Sequence, residues 1–187
     1  MRRRILGIAV AAGAFVLLCV GLYGAYGALM RAAYPQKYAE TVNRYAAEYG
    51  VPPSLIFAVI HTESHFEENA VSTAGAKGLM QLMDETYEWI QTKIEGEPEP
   101  LDRIFDPEVN IRCGSKLLEV LHGQFTHTET ALAAYNAGSG KVTGWLLDER
   151  YSADGETLTH IPYEETENYV RRVLKAQARY RALYDIR

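Results

Sequence analysis

Cysteine is scarce in this chain: two in 187 residues, Cys19 and Cys113. They sit in segments of different character and are not expected to pair, which excludes a disulfide-stapled fold. Positive charge is also in short supply. The sequence has 19 Lys+Arg against 24 Asp+Glu, a net charge of -5, and residues 31–187 carry 16 basic against 24 acidic side chains. A domain this acidic has no electrostatic footprint for nucleic acid, which removes that class of partner. There is no internal repeat, no low-complexity tract and no convincing strand alternation. With 48% hydrophobic and 23% charged residues, a disordered chain is excluded. The roughly 150 residues beyond the N-terminal stretch suffice for a self-supporting core.

Charge is missing altogether from Ile5 to Met30, 26 positions dominated by Leu, Val, Ile, Ala and Gly. A membrane span needs roughly 20 apolar residues, so this stretch predicts one transmembrane helix. The rival reading is a cleaved signal peptide. Its apolar region usually runs only about 7–15 residues and closes at a small-residue site. Here the run is longer and no clear Ala-x-Ala site ends it, so an uncleaved signal-anchor over 5–30 is expected. Leu18 before Cys19 is not small, which argues against lipid attachment. Arg2, Arg3 and Arg4 favour residues 1–4 as a short basic cytoplasmic tail. Arg31, Lys37 and Arg44 on the other side nearly balance them, but whole domains translocate largely regardless of charge. The expected location is the cell membrane, single-pass, with the domain over 31–187 on the outer side.

The rest of the chain reads as helix almost throughout. Tyr38, Val42, Tyr45 and Tyr49 recur at three and four until Gly50. Pro52-Pro53-Ser54 opens a helix with Leu55, Ile56, Val59 and Ile60 as its apolar stripe. After a loop over 70–77, Leu79, Met83, Tyr87 and Ile90 predict a helix from near Gly78, broken at 96–100. Asp106-Pro107 is an N-cap followed by an N1 proline, and that helix runs to Gly123. Thr128 reads as the cap of a short helix over 129–136, with another over 142–148. Residues 151–160 are polar and irregular, and a last helix covers 165–184. The helices are short and unequal, so the fold class is all-α, compact and orthogonally packed.

Glu63 is the informative residue. It follows Ile56, Val59 and Ile60 by seven, four and three positions, which places it on the apolar stripe. Desolvation there disfavours the ionised form and raises the pKa toward the range a general acid needs near neutrality. The alternative is that Glu63 bends out to solvent or pairs with an arginine. His61 and His65 have ligand spacing, but a zinc protease needs Glu directly after the first His, and here Thr62 stands there. No metal site is expected.

Four blocks then stand in order: Glu63-Ser64; Gly78-Leu79-Met80-Gln81-Leu82-Met83; Ala134-Tyr135-Asn136-Ala137-Gly138; and Ile161-Pro162 with Glu165-Thr166 and Tyr169-Val170. Together they resemble the motifs of the soluble lytic transglycosylase (SLT-type) family of the lysozyme-like superfamily, related to goose-type lysozyme. Asn110-Ile111 with Gly114 resembles the family's helix between the second and third blocks. The resemblance spans about Tyr38 to Tyr184. It implies a lysozyme-like domain with a saccharide cleft, peptidoglycan glycan strands as substrate, and no cofactor. It also implies Glu63 as the catalytic acid/base. Ser72, Gln81, Met83, Tyr135, Asn136 and Glu165 become the substrate-binding residues, with Ser72 bonding an N-acetyl group and Tyr135 close to the carboxylate. Two departures bear on substrate preference: Glu67-Glu68 where the family usually has Asn-Pro, and Asp84-Glu85 where a Pro-led pair is usual.

What the resemblance implies chemically is cleavage of the bond between N-acetylmuramic acid and N-acetylglucosamine by one carboxyl, leaving 1,6-anhydro ends. Two other readings stay open at this point. A second carboxylate, Glu67 or Glu165, would make the protein a lysozyme-type hydrolase. A domain without turnover would be a membrane-tethered glycan-binding protein.

Overall fold

The computed structural model describes residues 2–186, with side chains from position 15 onward. Among the described residues there is no β-strand, only two isolated bridges, Val71–Lys77 and Lys77–Leu82. The fold is all-α, and the chain forms two units, Met1–Pro35 and Gln36–Arg187.

The first unit is helix α1, Arg2–Ala33. Its segment Phe15–Ala33 is long and apolar enough to cross a membrane, with a mean hydropathy of 1.5. Phe15, Leu17, Tyr23 and Leu29 are exposed along it. Such a helix buries nothing against itself, so its apolar surface calls for a nonaqueous neighbour. Of the tail expected over 1–4, Met1 lies outside the described residues, and residues 2–4 are continuous with the helix rather than a separate segment.

The second unit contains α2 (Ala39–Tyr49), α3 (Pro53–Glu63), α4 (Asp84–Gln91), a 3-10 turn at Leu101–Phe105, α5 (Pro107–Gln124), α6 (Thr128–Ala137), α7 (Ser139–Leu146) and α8 (Glu164–Tyr184). Gly50 closes α2 at a φ of 66°, a left-handed C-cap that glycine adopts without strain. Asp106 caps α5 by accepting from the backbone N–H groups of Glu108 and Val109, at 2.9 and 3.2 Å.

Two helices carry the interior. Every residue of α3 from Ser54 to Ile60 is buried, so this helix is enclosed on all sides rather than amphipathic. The expected stripe is therefore a correction in kind: Leu55-Ile56-Phe57-Ala58-Val59-Ile60 is a continuous apolar run, which belongs to a central helix. α8 lies along α3, with Phe57 stacked on Tyr180 at 5.3 Å. α5 is the second interior helix, packed against α2 and α6. Gly114 on α5 faces Met80, and a Cβ at that position would collide with the Met80 sulfur.

Three expectations about elements need correction. The third helix starts at Asp84, not near Gly78, because Gly78 and Gln81 have φ values of 77° and 49° and the segment between them is a turn. Leu79 and Met83 thus have helical spacing without lying in a helix. Thr128 is the first residue of α6, and His127 occupies the N-cap position with no side-chain cap bond. The helix expected over 142–148 begins at Ser139, directly after Gly138.

Candidate active site

Glu63 is the last residue of α3. The helix ends there because Ser64 leaves helical geometry, and His65 and Phe66 follow with φ values of 51° and 65°. Non-glycine residues held left-handed need support from their surroundings. Phe66 finds it by burying its ring near Phe57. The Ser64 hydroxyl sits at 3.2 Å from the Ile60 carbonyl and 2.8 Å from that of Leu79, able to donate to either. The C-terminus of α3 is thereby tied to the turn over 78–82.

That turn is over-determined. Lys77 and Leu82 exchange backbone hydrogen bonds at 2.9 and 3.0 Å. The buried Asn110 amide accepts from the Met80 N–H at 2.8 Å and donates to the carbonyls of Ile104 (2.7 Å) and Lys77 (3.2 Å). Gly78 must be glycine: its φ is positive, and a Cβ would collide with the Asn110 amide and the Ile104 carbonyl. The Met80 carbonyl accepts from the Tyr135 hydroxyl at 2.8 Å, which joins α6 to the turn.

The half-buried Glu63 carboxyl is pushed up from its ordinary 4.5 to about 7, first of all by burial. The Tyr169 hydroxyl and the Arg172 guanidinium pull the other way, since both favour the anion. No carboxylate is among the groups that act on it. Tyr169 and Tyr135 stack with nearly parallel rings, 6.5 Å apart. Burial raises both phenols well above their ordinary value, and the charge of Glu63 adds to the rise, so both stay protonated. The Tyr169 hydroxyl is buried and has no partner at full hydrogen-bonding distance among the described residues. It is left to serve the carboxylate. Tyr169→Phe is expected to move the alkaline limb of the pH–rate profile upward, because a group that lowers the Glu63 pKa is lost. A role in packing alone would reduce the rate at every pH and leave that limb in place.

The expected site residues fall in four places. Tyr135 lies near enough to Glu63 for the carboxylate's charge to add to the effect of burial on its phenol. Ser72 and Gln81 belong to the neighbouring loop. The Ser72 Oγ accepts from the Ala76 N–H at 3.0 Å, and the Gln81 amide donates to the carbonyls of Ala70 and Gly78 at 3.1 and 2.8 Å. Both side chains hold the loop in shape, which leaves part of their hydrogen-bonding capacity for a ligand. Met83 precedes α4 with 44% of its surface exposed. The Asn136 carbonyl oxygen accepts from the Thr166 hydroxyl at 2.8 Å, linking α6 to the first turn of α8, where Glu165 is exposed. Glu67 is exposed beyond the end of α3, and its carboxylate accepts from the Asn69 N–H. The helix does not persist far enough to bring Glu67 onto the Glu63 face. His61 and His65 stack at 4.9 Å, and among the described residues no group of three or more His, Cys, Asp or Glu could hold a metal ion.

Sequence reasoning did not single out Tyr169 or Arg172 as partners of Glu63. The signal was there for Tyr169, which lies four residues after Glu165 on the buried face of the last helix. Trp145, weighed as a sugar platform, is buried and packs edge-on against Tyr163 at 5.1 Å.

The chain resembles known proteins over about four fifths of its length. The chain is 34% identical over 152 residues to the soluble lytic murein transglycosylase of Escherichia coli K12, which covers 79% of this chain and 23% of that protein. It is 33% identical over 167 residues to the membrane-bound lytic murein transglycosylase C of Yersinia pestis, covering 78% of this chain and 47% of the relative. The chain thus spans only about a quarter of the first relative's length and about half of the second's. Among solved structures, an inactive mutant of the lytic transglycosylase Slt from Pseudomonas aeruginosa superposes with a TM-score of 0.71 at 35% identity, over 81% of this chain and 25% of that one. The sequence model of the transglycosylase SLT domain matches residues 40–158, and the chain belongs to that family.

Proposed function

We propose that this protein is a peptidoglycan lytic transglycosylase with Glu63 as its only acid/base. The observation that carries the reading is a single half-buried carboxyl, raised to about 7, with no second carboxylate acting on it. At neutral pH about half of such a group is protonated. Its proton passes to the glycosidic oxygen between N-acetylmuramic acid and N-acetylglucosamine as that bond breaks. The resulting carboxylate then takes the proton from the C6 hydroxyl of the muramic residue, whose oxygen closes on C1 to form the 1,6-anhydro ring. Proton given and proton taken balance, so the enzyme is restored. The attacking hydroxyl is already part of the substrate, which supplies the advantage of an intramolecular reaction. A hydrolase would need a second carboxylate to hold water or attack the sugar.

Ser72, Gln81, Met83, Tyr135, Asn136 and Glu165 form the proposed sugar-binding set around this acid. The raised tyrosine pKa values support a role for Tyr135 and Tyr169 as neutral donors, not bases. We further propose that α1 is a single-pass signal-anchor that holds the catalytic domain on the outer side of the cell membrane. The apolar stretch Phe15–Ala33 and the similarity to a membrane-bound relative support it.

The test is a digest of purified peptidoglycan by the full chain, read by mass spectrometry. Anhydro-ended muropeptides are expected. Reducing-end products would replace this reading with a hydrolase, and an unchanged polymer would replace it with a glycan-binding protein.

A further inference from the structure

We propose that the cavity between α2, α5 and the C-terminal end of α4 is a second binding site, which takes a carboxylate-bearing peptide of the wall polymer. The polymer as the source rests on the function proposed above; the chemistry of the cavity does not. The cavity encloses about 450 Å³ and draws on α2, α5 and residues 93–95. That volume lies in the range of small-ligand sites. None of its lining residues belongs to the surroundings of Glu63.

Two tyrosines form one wall. Tyr45 and Tyr49 stack at 5.9 Å with their rings 10° from parallel. Each ring carries a cation, Arg44 at 5.0 Å over Tyr45 and Lys116 at 5.1 Å over Tyr49. Lys93 and Arg112 complete the basic set. Glu48, Glu95 and Glu119 line the same cavity, so its walls carry both signs.

Most of these charges are engaged. Arg44 pairs with Glu108 at 3.0 Å, and Lys116 with Glu119 at 2.6 Å. Lys93 lies 5.9 Å from the ring of Trp89. Arg112 differs. It takes part in no ion pair among the described residues, and its Nε is buried without a hydrogen-bond acceptor. The Cys113 thiol and the phenols of Tyr45, Tyr49 and Tyr87 lie near enough to feel its charge, and none of them is an anion at neutral pH. A guanidinium with a buried, unsatisfied N–H is unfavourable unless an acceptor arrives, and its planar fork matches the two oxygens of a carboxylate or a phosphate.

The acids decide the class of ligand. Three glutamates around the cavity repel a dianionic phosphate. A zwitterionic peptide is suited to both signs, with its carboxylate on Arg112 and an amino group toward the glutamates. The peptide stems of peptidoglycan carry both groups.

The test uses the full chain in detergent micelles with the Glu63→Gln substitution, so that nothing is turned over, and follows backbone amides by NMR. The probes are a disaccharide-tetrapeptide, the uncharged N-acetylglucosamine dimer and inorganic phosphate. The disaccharide-tetrapeptide is expected to shift amides over 44–49, 93–95 and 112–119, and the uncharged dimer to leave them in place. Arg112→Gln should weaken that response at least tenfold. The exposed Lys93→Gln should weaken it severalfold in a protein with unaltered folding, which keeps the test valid should Arg112→Gln fail to fold. No response to the disaccharide-tetrapeptide, an equal response to the uncharged dimer, or tighter binding of phosphate would each overturn the proposal. Because the readout is binding in an inactive variant, it stands or falls separately from the muropeptide digest.

Discussion

Glu63→Gln is expected to lower glycan cleavage by about a thousandfold or more while leaving the fold intact, since removal of a general acid typically forfeits 10²–10⁴ in rate. Glutamine keeps the shape of the side chain and loses the transferable proton. The same substitution has a thermodynamic signature of its own. The folded-state pKa of Glu63, about 7, lies above the ordinary 4.5, so the folded state binds this proton more tightly than the unfolded state. The stability from that proton is fully present below about 4.5 and is lost as pH rises through 7, to a total of about 3 kcal/mol. Above pH 8, Glu63→Gln should therefore be more stable than the parent, and the difference should vanish at acid pH. Chemical denaturation at pH 5 and pH 8.5 measures this directly. An inactive variant with the parent's stability at both pH values would mean that the carboxyl is solvated, and the raised pKa on which the mechanism depends would be gone. Full activity in Glu63→Gln would remove the residue from the chemistry altogether.

The second large effect is expected at Asn110, a buried residue that holds the turn over 78–82. Asn110→Ala leaves the Met80 N–H without its acceptor and the carbonyls of Ile104 and Lys77 without their donor. Asn110 itself is fully buried, so water does not readily replace the amide. The loss should be about 3 kcal/mol or more, a drop in Tm of roughly 10 °C for a domain of this size. Activity should fall beyond what stability explains, because the Met80 carbonyl that receives the Tyr135 hydroxyl is set by the same amide. Asn110→Asp keeps the acceptor and loses the donor while burying a charge, so it should not rescue. Thermal melts and turnover well below the melting range separate the two consequences. A shift of less than 1 kcal/mol would show that the turn over 78–82 holds its shape without Asn110.

Most of the helices were legible in the sequence because their limits carry local signals. Gly50, Pro53 and the pair Asp106-Pro107 set φ or offer a cap at a single position, and the structure follows each of them within a residue or two. Spacing misled where tertiary contacts outweighed it. Leu79, Met83, Tyr87 and Ile90 keep helical intervals, yet Gly78 and Gln81 are left-handed, and Asn110 from a distant helix takes the Met80 N–H. Reading α3 as amphipathic failed for a related reason. Periodicity shows which residues are apolar, not how many neighbours surround the helix, and α3 is covered on every side by the rest of the domain.

The sequence alone determined the all-α class, the apolar N-terminal helix and the identity of the carboxyl that ends the apolar run. These are properties of single residues and of short intervals along one helix. Only the tertiary structure decided the company Glu63 keeps. Tyr135 and Tyr169 reach it from helices 72 and 106 residues further along the chain, Arg172 adds the one opposing charge, and the end of α3 at Ser64 turns Glu67 away into solvent. A pKa is set by burial and by charges within a few ångströms, and no spacing in a sequence specifies which distant helices will supply them.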